Sequence, residues 1–417
     1  MCLLISILCQ AQNFKFDFTP TKKTVAGMIK ITPTTIYNEQ TGYGFDLLPV
    51  PKYGSKAPFF FSVKIPDGNY KITVVLGSKK HAGKTTVRAE SRRLFLENVS
   101  TKKGELKKLT FTVNKRDSII NGNEKVLIKP RERHKLNWDN KLTFEINGDD
   151  PALSQISIEK AGSDVVTLFL CGNSTVVDQD NEPWASWGQM IPRFFDEHVC
   201  IANYAESGEA ANTFIAAKRL KKALTQIKAG DYIFMEFGHN DQKQKGPGKG
   251  AYYSFMTNLK IFVDEAIAHG AHPVLITPTQ RRSFDANGKI METHLDFPDA
   301  MRWLAAKEHI PLIELHDMTR TLYETLGVEK SVKAFVHYPK GTFPGQTTDL
   351  ADNTHFNPYG AYQVAKCVIE GMKKNKFDFI SHLRPDYKAY DPTHPDPIES
   401  FHWNNSPFTE IEKPDGN

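Results

Sequence analysis

Residues 165–177, V-V-T-L-F-L-C-G-N-S-T-V-V, constrain this chain more than any other stretch. Val165, Val166, Leu168, Phe169 and Leu170 form a near-continuous apolar run, as a strand buried on both faces of a parallel sheet requires. The run stops at Gly172. Gly172-Asn173-Ser174-Thr175 follows at the carboxyl end of the strand, where open α/β sheets place their ligands. A hydroxyl there stands on a rigid support, which makes Ser174 the candidate nucleophile. The same four residues are also ordinary turn chemistry, so the assignment needs partners elsewhere. Gly238-His239-Asn240-Asp241 follows a second apolar run, and Asp352-Asn353-Thr354-His355 comes shortly before a C-terminal helical pattern. The order is a serine, an amide-bearing loop, then a carboxylate three residues before a histidine.

Around these blocks, strand-like and helix-like runs alternate. Helical patterns are expected at 187–195, 212–228, 252–269, 297–309 and 359–373, and strands at 200–205, 231–237, 273–277 and 312–315. That alternation predicts an α/β unit at 164–376 with a doubly wound parallel sheet.

The region before it reads differently. Phe59-Phe60-Phe61-Ser62-Val63-Lys64-Ile65 and Tyr70-Lys71-Ile72-Thr73-Val74-Val75-Leu76 are joined by Pro66-Asp67-Gly68-Asn69, and short strand-like runs recur at 109–113, 126–128, 142–146 and 156–158. No helical period is sustained there, so an antiparallel sandwich at 13–162 is expected. A chain of 417 residues has length enough for these two units. Residues 1–11 form a short apolar segment ending Cys9-Gln10-Ala11, a pattern expected of a secretory signal without its basic start; it implies a secreted or periplasmic location. No later run is apolar enough over a long enough stretch to span a membrane. The tail 377–417, rich in Pro, His and aromatic residues, has no helical period and is expected to dock on the surface.

Composition excludes several classes. Without Cys2 and Cys9, the remaining Cys171, Cys200 and Cys367 are too few and too widely spaced for a disulfide framework, and with no CxxC pair and no HExxH, no structural zinc site is expected. Charge is uneven: residues 1–160 hold 27 Lys and Arg against 15 Asp and Glu, whereas the rest holds 26 against 33. A basic half favours polyanions. Its Lys102-Lys103 and Lys107-Lys108 pairs lack interleaved aromatic platforms, which argues against a single-strand nucleic-acid reader.

Taken together, Gly172-Asn173-Ser174-Thr175, the glycine of Ala205-Glu206-Ser207-Gly208, Gly238-His239-Asn240-Asp241 and Asp352-Asn353-Thr354-His355 resemble the sequence blocks of the SGNH, or GDSL-type, hydrolases. The phrases PWASWGQMIP, ITPTQRRSF, FPDAMRWLA, AFVHYP and ADNTHFNPYGA resemble the rhamnogalacturonan acetylesterase branch, and FSVKIPDGNYKITVVLG resembles the galactose-binding-like jelly-roll domains found beside carbohydrate enzymes. The resemblance implies a flavodoxin-like three-layer α/β fold preceded by an all-β jelly roll. It implies a Ser174-His355-Asp352 esterase acting on an acetylated acidic polysaccharide, with Ser174, Gly208 and Asn240 donating to the oxyanion, and needs neither metal nor organic cofactor. Two rivals stand beside rhamnogalacturonan deacetylation: a xylan or other glycan acetylesterase, and a glycan-binding protein whose hydrolase unit is inert. The family usually has aspartate where this chain has Asn173, which keeps an acceptor oxygen but loses the charge. Trp184, Trp187, Arg281 and Arg282 are candidates to border the substrate cleft, through aromatic faces for sugar rings and guanidinium groups for carboxylates. His239 is read as shaping its loop.

Overall fold

The computed structural model describes residues 13–21, 23–52, 56–409 and 412–415. The segment read as a signal, with Cys2 and Cys9, lies outside them.

Five strands of the C-terminal half run parallel in the order Leu312–Ile313, His272–Ile276, Tyr232–Glu236, Val166–Gly172, Val199–Asn203. Val166–Gly172 comes first in sequence; the second strand lies on one side of it and the third to fifth on the other. The strand order therefore reverses at Val166–Gly172, and such a reversal opens a crevice at the carboxyl ends of the first and third strands. There Gly172 lies opposite Glu236 in register.

Side-chain alternation explains why both faces must be covered. Leu168 and Leu170 pack with Leu322, Val364 and Val368 on one face, while Phe169 and Cys171 pack with Leu259, Phe262 and Met301 on the other. The helices Leu315–Ser331 and Pro358–Lys374 supply the first layer, and Met256–Ala268 and Phe297–Glu308 the second. The result is an α/β fold with layers on both sides of a mixed sheet. Cys171, Cys200 and Cys367 are buried free thiols.

The sheet does not stop at Val199–Asn203. It continues through the N-terminal half as Lys107–Lys115, Gly68–Leu76, Leu153–Lys160, Phe14–Asp17 and Ile29–Lys30, giving ten strands. The join is a single parallel pair, Ile201 opposite Val113. A second sheet, ordered Tyr43–Asp46, Phe59–Lys64, Lys141–Asn147, Gly83–Ala89, Arg93–Thr101, shares one core with the N-terminal strands: Phe16, Ile72, Phe111 and Ile156 meet Phe61, Val87, Phe144 and Ile146.

Beyond that one backbone pair, apolar side chains and buried charges join the halves: Leu94 enters one core of the C-terminal half and Ile120, Val126 and Trp138 the other. Arg93 pairs with Asp178 at 3.1 Å and donates to the carbonyls of Ile201 and Asn114. Arg92 pairs with Glu182 at 2.6 Å, Lys135 with Glu206 at 2.9 Å, and Arg116 lies over the rings of Trp138 and Tyr204. Part of the N-terminal positive charge is thus internal rather than offered to solvent. The tail adds a strap: Trp403 lies 3.9 Å from the Arg88 guanidinium and donates to Glu182, Phe401 packs on Tyr359 and Tyr362, and Phe408 meets Phe60.

Several local expectations change. The helix expected over 212–228 breaks at Lys218, which takes a left-handed φ of 63°, into Ala211–Ala216 and Arg219–Leu224. Residues 126–128 form no strand, since Leu127 N–H turns to donate to Ala217 O. The strand expected at 312–315 ends at Ile313, because Leu315 begins the unpredicted helix Leu315–Ser331. Asp352-Asn353-Thr354-His355 lies within the strand Leu350–Phe356, where the ladder with Phe335–Tyr338 pairs Asp352 and Phe356 and skips the three residues between them.

Arg93→Met removes the cation from a fully buried pair and leaves Asp178 without it. We expect a loss of about 3–5 kcal/mol in urea unfolding, whereas Lys64→Met, in an exposed, solvent-screened pair with Glu39, leaves stability nearly unchanged.

Candidate active site

The crevice at the strand-order reversal holds the serine. Beyond Gly172 the chain turns on itself: Asn173 O accepts from the N–H groups of Val176 and Val177, and Asn173 Oδ1 accepts from Thr175 N–H at 3.0 Å and lies 2.9 Å from Thr175 Oγ1. Asn173 keeps the acceptor role expected of it. Gln179 Nε2 and Ser186 Oγ both donate to Ser174 O, at 2.9 and 2.7 Å, and so fix the peptide that follows the serine.

His355 reaches this turn from a strand 181 residues later. Its Nε2 lies 2.8 Å from Ser174 Oγ and its Nδ1 lies 2.7 Å from Asp352 Oδ2. Asp352 Oδ1 also accepts from the N–H groups of Thr354 and His355. Burial alone would raise this carboxyl, but the ring bond, the His355 charge and the two backbone donors outweigh it and hold Asp352 well below the usual carboxylate range. An ionised Asp352 selects the tautomer with hydrogen on Nδ1, leaving the Nε2 lone pair toward the hydroxyl. The aspartate and histidine face the same way although three residues apart, because the ladder with Phe335–Tyr338 shifts register between Phe335 and Val336.

Three donors of the kind an oxyanion needs lie on the nucleophile turn and on two loops linked to it. Among the described residues, the backbone N–H groups of Ser174 and Gly208 donate to no acceptor in the chain. Asn240 Nδ2 uses one hydrogen on Glu209 O at 3.0 Å. The loops are stitched together: Glu206 N–H donates to Gly172 O, and Asp241 accepts from Ala211 N–H and Gly238 N–H. Gly208 has φ +79°, and a Cβ there would lie 2.9 Å from Asp415 Cβ, so glycine is needed on both counts. Asp415, near the end of the tail, pairs with Lys129 and Arg131 against this loop.

The four cleft candidates separate. Trp184 and Trp187 are each 1% exposed, so neither presents a face to a sugar; this corrects the expectation that they border the cleft. Arg281 is partly buried, donating to His239 O and Thr293, while Arg282 donates to Asn353 Oδ1, Ser331 Oγ and Val328 O and braces the strand that carries His355. His239 is buried with neither ring nitrogen bonded among the described residues; burial first, then His294 and Arg281, keep it neutral.

Sequence reading passed over Glu236, Thr175 and Gln179. Glu236 had a visible signal: a carboxylate closing the apolar run Tyr-Ile-Phe-Met-Glu. Among the described residues, two groups gather enough ligand atoms to interest a metal ion, Asp196-His198-His382 and Glu292-His294-His316. In the second, Arg320 lies 3.2 Å from Glu292 and Arg281 lies 3.3 Å from His294, so fixed cations already occupy the neighbourhood.

A profile of the GDSL-like lipase/acylhydrolase family matches residues 169–361. Rhamnogalacturonan acetylesterase RhgT of Bacillus subtilis is 40% identical over 220 residues, which cover 52% of this chain and 94% of that protein. The chain belongs to the GDSL-like lipase/acylhydrolase family. The esterase YxiM of Bacillus subtilis is 24% identical over 387 residues, 87% of this chain and 91% of the relative. The YxiM crystal structure covers 88% of this chain and 99% of its own, at 22% identity and a TM-score of 0.48. The family profile spans Ser174, Gly208, Asn240, Asp352 and His355.

Asp352→Asn tests the electrostatics apart from catalysis. Because the folded carboxyl sits well below its ordinary value, its contribution is fully present above about pH 4 and is lost progressively as pH falls from there toward the folded value. The stability difference between wild type and D352N in urea unfolding should therefore be large at pH 7 and shrink toward pH 3.

Proposed function

We propose that this protein removes O-acetyl groups from rhamnogalacturonan, with Ser174 as nucleophile, His355 as general base and acid, and Asp352 orienting it. The chain is a carbohydrate acetylesterase; what is proposed is its substrate and the role of each residue. The unbroken contact from Ser174 Oγ through His355 to Asp352 carries the reading of the site. The substrate reading is supported by the name of the 40% identical relative RhgT.

In the proposed mechanism, Ser174 Oγ attacks the acetyl carbonyl carbon while His355 Nε2 takes the hydroxyl proton. Negative charge collects on the carbonyl oxygen, and the donors assigned to it are Ser174 N–H, Gly208 N–H and the second Nδ2 hydrogen of Asn240. The tetrahedral intermediate collapses, His355 returns the proton to the departing sugar oxygen, and an acetyl-serine remains. Water, deprotonated by the same imidazole, then releases acetate. No step draws on a metal or organic cofactor.

The N-terminal region, 13–162, is proposed to be a galactose-binding-like jelly roll and 164–376 the hydrolase domain, with 377–417 as a docked tail. Two sheets sharing one aromatic core support the first of these. Export to a secreted or periplasmic location, after removal of residues 1–11, is proposed because a wall polysaccharide is met there. No helix among the described residues is long and apolar enough to cross a membrane.

Acetate release from acetylated rhamnogalacturonan and acetylated xylan tests the proposal. Wild type should prefer the former, Ser174→Ala and Asp352→Asn should lower kcat on the order of 10⁴-fold, and Asn240→Ala on the order of 10²–10³-fold. Equal rates for wild type and Ser174→Ala would leave a glycan binder; faster release from xylan would change the substrate.

A further inference from the structure

Directly beneath the nucleophile turn lies a carboxyl group that the mechanism does not use. Glu236 ends its strand opposite Gly172 and is fully buried. Its Oε2 accepts from Trp187 Nε1 at 2.5 Å, and its Oε1 accepts from Thr279 N–H at 3.2 Å and lies 2.9 Å from Thr175 Oγ1. Thr175 Oγ1 in turn lies 2.9 Å from Asn173 Oδ1.

Counting hydrogens decides the state of this chain. Between Glu236 Oε1 and Asn173 Oδ1 stands one hydroxyl with one hydrogen. If Glu236 is ionised, that hydrogen points at only one of the two oxygens, and the other contact, at 2.9 Å, sets lone pair against lone pair. If Glu236 carries a proton, it donates to Thr175 Oγ1, which donates to Asn173 Oδ1, and both contacts become hydrogen bonds. The surroundings agree. Trp187, Thr175 and Thr279 bond to the carboxyl, the titratable group facing it is the buried Tyr323 phenol, and among the described residues no lysine, arginine or histidine pairs with it. A buried carboxylate without a cation is costly, whereas a buried carboxylic acid with its hydrogen bonds made is not.

We propose that Glu236, as the neutral acid, is a positioning residue: through Thr175 and Asn173 it holds the turn that aims Ser174 Oγ and Ser174 N–H. The proposal rests on Ser174 being the nucleophile. Ionisation of Glu236 reverses the direction of the Thr175 hydroxyl and places negative charge below a site where an oxyanion must form, so activity declines as the proton leaves. Burial pushes this carboxyl up to about 7, against the weaker pull of its three donors, which puts the change within a working range. Asn173 fits the same scheme, because a second carboxylate at that position would compete for the single Thr175 hydrogen.

The test is the pH profile of kcat for a small aryl acetate in wild type, Glu236→Gln and Thr175→Val. Wild type should show an alkaline decline beginning near pH 7. Glutamine, keeping its oxygen for Trp187 and turning its amide nitrogen to Thr175 at the expense of the longer Thr279 contact, donates at every pH and should remove the decline, raising the ratio of kcat at about pH 8.5 to that at about pH 6 by roughly tenfold relative to wild type. Thr175→Val should lower kcat with little change in KM, and Thr175→Ser should restore it. A merely structural Glu236 would shift kcat equally at all pH values, so parallel profiles for wild type and Glu236→Gln would overturn the proposal, as would wild-type kcat in Thr175→Val. Thermal unfolding gives an independent reading. With its native proton affinity raised, Glu236 weakens the fold as pH rises from the ordinary carboxylate range through about 7, so the Tm advantage of Glu236→Gln should grow over that interval. Equal Tm differences at pH 5 and pH 8 would also count against the proposal. Loss of activity in Ser174→Ala tests the nucleophile assignment separately.

Discussion

The register of two parallel strands governs this molecule. Gly172 opposite Glu236 fixes the height at which one strand ends and its neighbour's side chain begins, and everything in the crevice follows from that offset. Glycine is required there because a Cβ at 172 would meet Val176 at 2.6 Å and Glu236 O at 2.9 Å. A one-residue slip would turn Leu168 and Leu170 from one helical layer to the other and carry Ser174 away from His355. The cost of such a slip, set by the apolar area on both faces, is what lets a buried hydroxyl be held within hydrogen-bonding distance of an imidazole from a remote strand.

Around that offset the site's loops are held by hydrogen bonds to their main chain from buried side chains and from one another. The Ser174 carbonyl is held by Gln179 and Ser186, the Gly208 loop by its link to Gly172, and the Asn240 loop by Asp241. Such anchors lose little conformational entropy when the ester binds, because they are already ordered. The N-terminal half takes part: Lys135 pairs with Glu206 on the Gly208 loop, Lys129 donates to Ser207 O, and Arg93 and Arg92 hold Asp178 and Glu182 after the nucleophile turn. The β-rich half is therefore a structural partner of the catalytic crevice as well as its neighbour in the chain.

Much of this was legible in the sequence. The apolar run ending in Gly-Asn-Ser-Thr marked the central strand, because a strand buried on both faces has no polar alternation to hide it, and the three-residue spacing of Asp352 and His355 marked a pair able to share one hydrogen bond. The elements that misled were those whose conformation depends on distant partners. The 212–228 period is broken by Lys218 as the chain bends over the N-terminal half, and the strand expected at 312–315 gives way after Ile313 to the helix Leu315–Ser331. Trp184 and Trp187 carried no mark of their burial, since an aromatic residue reads alike in a core and in a sugar cleft.

Sequence alone determined which residues carry reactive chemistry and in which order, since hydroxyl, imidazole, carboxylate and amide are properties of single side chains, and short-range periodicity reports the burial of each run. Tertiary structure decided which of them meet. Only the folded chain brings Glu236 beneath Thr175, makes Arg282 a brace for the His355 strand, and runs one sheet through both halves, because these depend on register and on packing between residues far apart in the chain, which local pattern does not encode.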